Sequence, residues 1–503
     1  MKANPKKFRL IILIVALCLI AAVTLAFNMG FIKLNPQYQA VNSQTPGNTP
    51  AVSGEPSMSP SVSAQPTAHF PSGISMVSVV QAKTAKAEDI QYEEIKMMVT
   101  DAVNMAGGFE GLIKNNMTVV IKPNLVTPID YTLPGWKGKP LAPEVNGTTT
   151  DYRVARAIVE LVRQHNPDGK VYIMEGSAFP TKECMLQLNY TPEYIPGVDE
   201  FIAIEEDSGK WRDYDSPGIV KVPVSGGLLV DEVYMNKKYK EADIVISVPV
   251  LKTHWTEVVS GSVKNVGIGA TPATIYGGTQ YMSLNRTGSL DHDKTKLDKW
   301  IHDFFAARPV DFAIIEGLQG IQNGPTPCFD QTGTSDIKMD QMNTRVIVAS
   351  RDCVAADTIE SLIMEWDPAA VGYLGHLENS GLGNCDVSNI RVIGKQVDEV
   401  RKDFKGTAPE GKFTDLAAPE VTINKTEMTA DGLSVQMAVS ADTAKVEVYM
   451  NGQYVMTDIP KDPGNYTLLI KGVKESDPTN DIVIEVYDKY LNRTDSRLET
   501  AKK

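Results

Sequence analysis

The chain has 503 residues, of which 42% are hydrophobic, a formal net charge of -13 at pH 7 and a pI near 5.1. It is too long for one ordinary core, which usually holds about 100 to 250 residues, so at least two folded units are expected. The acidic balance argues against nucleic-acid binding, because such binding needs clustered Lys and Arg to neutralise phosphates.

An apolar run at residues 10–27 is interrupted only by Thr24, and four basic residues precede it. The run reaches the roughly 18 residues that a membrane-spanning helix needs. The positive-inside rule then predicts that residues 1–34 are a cytoplasmic tail and a transmembrane signal anchor. The bulk of the chain would be extracytoplasmic at the cell membrane. A cleaved signal peptide is the alternative.

Residues 35–75 contain seven prolines, eight serines and a single charged residue, Glu55. Such a composition cannot bury enough apolar surface to offset the entropy that ordering costs. We therefore predict a disordered stalk that holds the folded part of the chain away from the bilayer.

Strand and helix patterns alternate over residues 76–405, which are expected to form an α/β domain. Apolar runs predict strands at residues 76–82, 118–123, 170–175, 243–250, 310–315 and 345–349. Helical periodicity predicts helices at residues 88–105, 152–165, 296–308 and 353–366. Thr149 or Thr150 is the expected N-cap of the second helix. This rhythm predicts a mostly parallel sheet covered by helices on both faces.

The remaining residues have a different pattern. Residues 406–418 are rich in Gly, Pro, Ala and Thr, which is typical of a linker. Residues 419–503 alternate apolar and polar positions in short segments, and Asn451-Gly452 is a hairpin signal between two of them. The pattern predicts an all-β immunoglobulin-like sandwich.

Polar residues end several of the apolar strands in the α/β region. Because the carboxyl ends of parallel strands meet at one edge of a sheet, these residues are expected to line a common site. The segments are Ile121-Lys122-Pro123-Asn124-Leu125, Glu175-Gly176-Ser177, Leu251-Lys252-Thr253-His254, Gly261-Ser262-Val263-Lys264-Asn265-Val266-Gly267 and Glu316-Gly317.

With Ala355-Ala356-Asp357, these segments resemble the bacterial and archaeal family of the domain of unknown function DUF362, over residues 76–394. The Lys-Pro-Asn, Lys-Thr-His and Lys-Asn elements carry the resemblance. Many relatives in that family have ferredoxin-like cysteine motifs, and this chain has none. Because those motifs are missing, the resemblance does not imply an iron–sulfur cluster in this chain. It leaves the identity of any cofactor open.

Lys122, Lys252 and Lys264 would bring three compact positive charges to one strand edge, which suits a small anionic ligand with a carboxylate or phosphate group. Gly261 and Gly267 would let the backbone approach that ligand closely. If the segment after Gly261 is helical, its free N–H groups would strengthen anion binding.

His254 and Lys264 are the candidate catalytic residues. In an enzyme, His254 would move a proton, while Lys264 and Lys252 would hold the anionic group. The alternative for His254 is a packed residue that only hydrogen-bonds to the backbone.

Further ligand-binding candidates share positions at strand ends or near helix starts: Asn124, Asn265, Ser262, Gly267, Glu175, Glu316 and Asp357. The asparagines would orient a ligand or cap turns. The two glutamates would form a carboxylate pair or cap a following helix. The aspartate would otherwise interact with a helix dipole.

Two metal hypotheses remain. His254 and Lys264 have the ten-residue spacing found in the nickel-pincer lactate racemase family, a second resemblance that would imply such a cofactor. Asp291-His292-Asp293 would offer ligands to a divalent metal.

The cysteines beyond the apolar N-terminal run are widely spaced and contain no CxxC pair, which argues against zinc and iron–sulfur sites. One or two disulfides and buried free thiols are both compatible with their positions. They are Cys184, Cys328, Cys353 and Cys385.

The predicted protein is thus membrane-anchored and extracytoplasmic, binds a small anionic ligand and could be an enzyme. The alternative is a noncatalytic envelope protein whose stalk and sandwich position the α/β domain to bind another protein or a cell-envelope polymer.

Overall fold

The computed structural model describes residues 73–126, 142–277, 290, 293–325, 337–406, 411–413, 415–474 and 480–499. All of them belong to one compact unit. The predicted anchor, almost all of the predicted stalk, His292 and Cys328 lie outside the described residues. Within the described ranges, no helix is both long enough and apolar enough to cross a membrane.

Within the described residues, twelve strands precede the C-terminal part of the chain. They are β1 (Ser75–Gln81), β2 (Thr118–Lys122), β3 (Lys170–Glu175), β4 (Glu200–Ala203), β5 (Ile219–Pro223), β6 (Glu232–Asn236), β7 (Ile244–Ser247), β8 (Val250–His254), β9 (Val258–Val259), β10 (Phe312–Ile321), β11 (Val346–Ser350) and β12 (Ile390–Gly394). All but β5 and β6, which form their own hairpin, belong to one sheet with the order β12-β1-β11-β10-β7-β2-β3-β4. β8 joins this sheet through β10, and β9 pairs with β8.

The sheet is mostly parallel, as predicted. Along its main path only β11 runs antiparallel to its neighbours, β1 and β10. β2, β3 and β7 are parallel, and in their register Lys122 lies opposite Ser247. The carboxyl ends of these three strands therefore meet at one edge.

Helices cover both faces of the sheet. The helices are α1 (Tyr92–Met105), α2 (Tyr152–His165), α3 (Thr181–Gln187), α4 (Ile204–Asp207), α5 (Lys237–Glu241), α6 (Ser262–Gly269), α7 (Ala273–Tyr276), α8 (Lys294–Ala307), α9 (Ile337–Asp340), α10 (Cys353–Ile363), α11 (Gly372–Asn379) and α12 (Val397–Val400). Val119 and Ile121 of β2 face a core formed with α1 and α2. Val120, between them, faces the opposite core, to which α6, α8, α10 and α11 contribute. This alternation is the period of a strand that is buried on both sides.

Three local predictions need correction. The strand predicted at residues 243–250 is two elements, because β7 ends at Ser247 and β8 starts at Val250. Pro249 lies between them and has no N–H with which to continue a ladder. The helix predicted from residue 88 begins at Tyr92, after a 3-10 turn at Ala87–Asp89. The N-cap of α2 is Asp151, whose carboxylate accepts a hydrogen bond from the Arg153 N–H at 2.9 Å.

The C-terminal strands form two antiparallel sheets around a separate apolar core. They are β13 (Val421–Thr429), β14 (Gly432–Val439), β15 (Thr443–Met450), β16 (Gln453–Asp458), β17 (Tyr466–Lys471), β18 (Asp481–Asp488) and β19 (Arg493–Glu499). The orders are β13-β14-β17 and β16-β15-β18-β19. Asn451 and Gly452 connect β15 to β16 with φ of 51° and 76°, as the hairpin signal predicted. A C-terminal β-sandwich is thus confirmed, while its immunoglobulin-like character stays a prediction.

Candidate functional site

The site is built around a buried ion pair between the ends of β2 and β3. Lys122 is fully buried, and its Nζ lies 2.9 Å from Glu175 Oε2. The same ammonium donates to Asn265 Oδ1 at 3.0 Å and to the Pro123 carbonyl at 2.6 Å. Since an ammonium has three N–H donors, these acceptors satisfy Lys122 within the fold. Ligand binding by Lys122 or Glu175 stays a prediction, and their geometry is that of a structural pair.

Asn265 and Asn124 extend this pair into a network. Asn265 Nδ2 donates to the Lys122 carbonyl and to Ser247 Oγ, both at 3.1 Å. Asn265 Oδ1 also accepts from Asn124 Nδ2 at 3.3 Å. Both asparagines accept from lysine side chains at this edge, and ligand binding by either one stays a prediction.

Lys252 of β8 closes the network on its other side. Its Nζ donates to Asn124 Oδ1 at 2.7 Å and to the Thr148 carbonyl at 2.6 Å. These are its hydrogen-bond acceptors among the described residues, so one N–H of Lys252 stays open there. Burial, and then the positive charge of Lys264, lower the pKa of Lys252 to about 7.

α6 starts at this edge because an internal carboxylate caps it. Asp357 of α10 accepts from the Ser262 N–H and Oγ, both at 2.6 Å, and from the Val263 N–H at 3.0 Å. The expectation that the α6 N-terminus offers these N–H groups to a ligand is therefore wrong, since Asp357 already occupies them. The fold brings Asp357 and Ser262 together, and the two residues are hydrogen-bonded to each other.

Lys264 projects from α6 into a group of acidic residues. Its side chain is partly buried, and no described residue makes a hydrogen bond or ion pair with its ammonium group. Burial lowers the pKa of Lys264, while the charges of Glu257 and Glu360 oppose that shift. Both glutamates are fully buried; the Glu257 carboxyl interacts with the Asp298 carboxyl, and the Glu360 carboxyl with the backbone N–H groups of Lys252 and Gly261. Burial raises the pKa of each, with the Asp298 carboxyl adding to the shift at Glu257.

His254, the predicted proton-transfer residue, stands at the end of β8 and is buried. Its Nδ1 accepts from the N–H groups of Thr256 and Glu257, at 3.1 and 3.2 Å. Because backbone N–H groups only donate, the neutral ring must carry its proton on Nε2. The lone pair that a general base needs is thus used to hold the turn after β8. Catalysis by His254 stays a prediction, and this geometry favours the packed-residue alternative.

Glu316 lies within β10 rather than at a strand end, and it does not pair with Glu175. Its carboxyl accepts from the Leu318 N–H, at 2.7 Å from Oε1, and interacts with the Asp151 N–H. β7 and β2 separate the strands of Glu316 and Glu175, which at about 4.8 Å per step is roughly 14 Å. The predicted carboxylate pair is therefore not brought together.

Gly267 serves helix packing. A Cβ at this position would lie 3.2 Å from the backbone of Ile301 in α8, and the Gly267 carbonyl accepts from Trp300 Nε1 at 3.0 Å. The missing side chain lets α6 and α8 approach each other. The expected approach of a ligand to Gly267 stays untested.

The described residues contain no group of three or more His, Cys, Asp and Glu side chains that could hold a metal. Cys184, Cys353 and Cys385 are free thiols. Most of the Asp291-His292-Asp293 segment, and Cys328, lie outside the described ranges.

Sequence reasoning missed Glu257, Glu360 and Ser247. Ser247 ends β7 as Lys122 ends β2, so a polar residue at a strand end would have pointed to it. Glu360 lies in α10, where its complete burial has no local sequence signal.

Comparisons with known proteins agree on the α/β region. Residues 119–360, just under half of the chain, match the family model "Domain of unknown function (DUF362)". A thylakoid-associated protein of Synechocystis sp. is 23% identical over 277 residues, which cover 55% of this chain and 72% of that protein.

A solved structure also overlaps with this chain. The lactate racemase apoprotein from Thermoanaerobacterium thermosaccharolyticum aligns with a TM-score of 0.30 and 13% identity, over 56% of this chain and 54% of the racemase. The match thus spans about half of the racemase, and at this TM-score it transfers neither fold nor chemistry.

Proposed function

We propose that residues 73–406 form a domain of the DUF362 type that binds a small anionic ligand beside Lys264 and Lys252. The match of residues 119–360 to the family model supports the first part. The observation that carries the second is Lys264, a partly buried ammonium with no hydrogen-bond acceptor among the described residues. Such a group gains from any anion that can reach it.

Lys252 supports the same proposal. Asn124 and Thr148 use two of its N–H donors and leave one open among the described residues. Burial, and then the charge of Lys264, lower the pKa of Lys252, so the two ammonium groups repel each other. A carboxylate or phosphate between them would relieve that repulsion and accept from both.

The buried acids next to Lys264 narrow the ligand class. Burial, and then the Asp298 carboxyl, raise the pKa of Glu257 to about 9, so this side chain holds a proton near neutrality, and burial also raises the pKa of Glu360. A carboxylic acid can both donate and accept hydrogen bonds. We therefore propose an anion that also carries a hydroxyl or amino group, such as a small hydroxy acid.

Thermal unfolding of the full chain in mild detergent tests this with lactate, propionate and inorganic phosphate at equal ionic strength. Lactate and propionate form a matched pair that differs in the hydroxyl group. Lactate is expected to raise the Tm most, since a ligand at about 100 times its Kd adds roughly 2.7 kcal/mol to stability. Lys264→Met should abolish the response and retain the fold, because Met is unbranched, is shorter than Lys by only one atom and removes a partly buried charge.

The control is Lys237→Met, at an exposed lysine of α5, which should respond as the wild type does. No Tm shift with any of the three anions, or an unchanged response in Lys264→Met, would contradict the proposal. A response to propionate as large as that to lactate would leave anion binding intact and remove the role given to Glu257 and Glu360.

We also propose that the C-terminal sandwich is immunoglobulin-like and that residues 10–27 anchor the chain, with its bulk extracytoplasmic. Two antiparallel sheets of three and four strands around one core support the first. The apolar run and the basic residues before it support the second. Resistance of the chain to carbonate extraction, with protease access from outside the cell, is the expected result.

A further inference from the structure

A second polar cluster lies on the helical layer, away from the sheet edge. His302 and Asp303 are neighbours in α8, and Ser380 follows the last turn of α11. His302 Nδ1 is 2.8 Å from Asp303 Oδ1, and His302 Nε2 is 2.8 Å from Ser380 Oγ. The histidine and aspartate are buried, whereas Ser380 is exposed.

The direction of each hydrogen bond follows from Asp303. Its carboxylate accepts from the N–H groups of Leu228, Leu229 and Val230, at 2.7 to 2.8 Å. Burial alone would raise the pKa of Asp303, but the His302 ring and these N–H groups outweigh it and lower the pKa. Asp303 is therefore ionised and only accepts hydrogen bonds.

An accepting Asp303 fixes the tautomer of His302. Nδ1 must carry the proton that is donated to the carboxylate, which leaves the lone pair on Nε2. The Ser380 hydroxyl must then donate to Nε2. This is the arrangement in which a histidine can take the proton from a serine as that serine attacks an electrophile.

We propose that Ser380, His302 and Asp303 form a second reactive site, in which Ser380 attacks small esters that carry a good leaving group. The bond from Ser380 Oγ to the carbonyl carbon forms as the serine proton passes to His302 Nε2. The ester C–O bond then breaks, and that proton goes to the departing oxygen. Water attacks the acyl-Ser380 ester by the same route, which releases the carboxylic acid and restores the hydroxyl.

The backbone around Ser380 limits the substrate class. The N–H groups of Ser380, Gly381 and Leu382 all donate to carbonyls of α11, so they are not available to an oxyanion. The helix also ends there, with the negative end of its dipole. Substrates that are already activated, such as aryl esters and fluorophosphonates, are the class that this site can accept. Amides and peptides need more stabilisation of negative charge and should not react.

The test is labelling of the folded full chain with a biotinylated fluorophosphonate, followed by tandem mass spectrometry. Label is expected on Ser380, with displacement of fluoride, and p-nitrophenyl acetate should compete for it. Ser380→Ala should abolish the label, and His302→Gln should slow it by about 100-fold, the usual size of general-base assistance. Ser225→Ala removes another exposed serine and serves as the matched control, with labelling unchanged.

His302→Gln removes a buried ring, so a second measurement needs no variant. A protonated imidazole cannot accept the serine proton, and the labelling rate of the wild type should fall as the medium is acidified. Asp303 and His376, whose ring centroid lies 6.5 Å from that of His302, are the titratable groups beside it. An unlabelled Ser380 in the folded wild type, or a rate that does not fall on acidification, would overturn the proposal.

Discussion

At the scale of single residues, Glu316 makes the stability of the protein depend on pH. Burial, and then the negative charge of Asp151, raise the pKa of this carboxyl from its ordinary value of 4.5 to about 8. The folded chain therefore keeps a proton that the unfolded chain loses. The contribution of Glu316 to stability is complete below about pH 4.5 and is lost as the pH rises to about 8.

Glu316→Gln should remove this dependence. The glutamine Oε1 can still accept from the Leu318 N–H, which Glu316 binds at 2.7 Å. We expect the variant to gain stability relative to the wild type at pH 8 but not at pH 4.5, by more than about 1 kcal/mol, since one pKa unit corresponds to about 1.4 kcal/mol. Chemical unfolding at both pH values measures the difference. Glu193→Gln, at an exposed carboxyl, is the control, and a pH effect of the same size there would contradict the assignment to Glu316.

At the scale of secondary-structure elements, the junction between β9 and α6 decides where Lys264 and Asn265 lie. Gly261 precedes α6 with φ of 58° and ψ of 166°, a combination that is essentially restricted to glycine. A Cβ at this position would lie 2.4 Å from Asp357 Oδ2 and 2.6 Å from Tyr373 Oη. The same carboxylate caps α6, so the conformation of one glycine and the position of the helix are linked.

Gly261→Ala is therefore expected to destabilise the protein by about 3 kcal/mol, the sum of backbone strain and overpacking. It should also abolish the response to anions, because the Asp357 carboxylate must move away from the Ser262 N–H. Gly111→Ala isolates the backbone term, since Gly111 has a φ of 72° and a Cβ there would contact nothing within 4 Å. It should cost only about 1 kcal/mol. Urea unfolding measures both variants. If Gly261→Ala and Gly111→Ala lost the same unfolding free energy, Asp357 and Tyr373 would have moved aside without an energetic penalty, which would contradict the overpacking.

The same element shows what a sequence can and cannot reveal. The Lys-Pro-Asn segment at the end of β2 predicted that Lys122 and Asn124 lie at the strand edge. An apolar run that ends in polar residues indicates a buried parallel strand whose carboxyl end is at the edge of the sheet. The carboxylate that caps α6 comes from Asp357, 95 positions away along the chain. No local pattern distinguishes such a partner from a surface acid. The sequence thus predicted which of these side chains lie at a strand end, while their pairing depended on contacts between distant elements.

The boundaries of helices and strands show the same difference between local and distant signals. α2 begins and ends as its periodicity predicted, because both termini carry local signals. β7 and β8 were predicted as one strand, since hydrophobicity continues across Val248 and Pro249. β7 pairs with both β2 and β10, whereas β8 keeps β10 and pairs with β9 in place of β2, a change that is set by the sheet and not by composition.

At the scale of the whole molecule, the sandwich is packed against the α/β part. Tyr487 and Leu491 of the sandwich belong to the large apolar core of the α/β part. Lys445, also buried, donates to the Ile390 carbonyl of β12 and to Glu447 Oε1. Buried polar contacts of this kind fix a geometry, because breaking one would leave a charge without a partner. The segment predicted as a linker is held as well, since the Asp367 N–H donates to the Gly411 carbonyl at 2.6 Å.

Tyr490 is the residue through which this packing can be tested. Its ring stacks on Phe413 with centroids 4.2 Å apart and planes 7° from parallel, and its hydroxyl donates to Asp367 Oδ2 at 3.1 Å. Tyr490→Ala removes both contacts and should leave the core of the sandwich intact. We expect these contacts to stabilise the closed position of residues 411–413 by about 1.4 kcal/mol or more. Their removal should then raise the population of the open segment at least about tenfold.

Trypsin cleavage after Lys412 measures that population directly. Lys412 is paired with Glu365 at 3.2 Å and with Asp403 at 2.9 Å, so the wild type should be cut slowly at this bond. Tyr490→Ala should be cut at least about tenfold faster, as long as the segment closes faster than the protease acts. Ile459→Ala, at an exposed position in the sandwich, should match the wild type. Equal cleavage rates in Tyr490→Ala and the wild type would contradict this expectation. They would mean that contacts with the α/β part alone hold residues 411–413 in place, and that the Tyr490 contacts from the sandwich do not stabilise the segment.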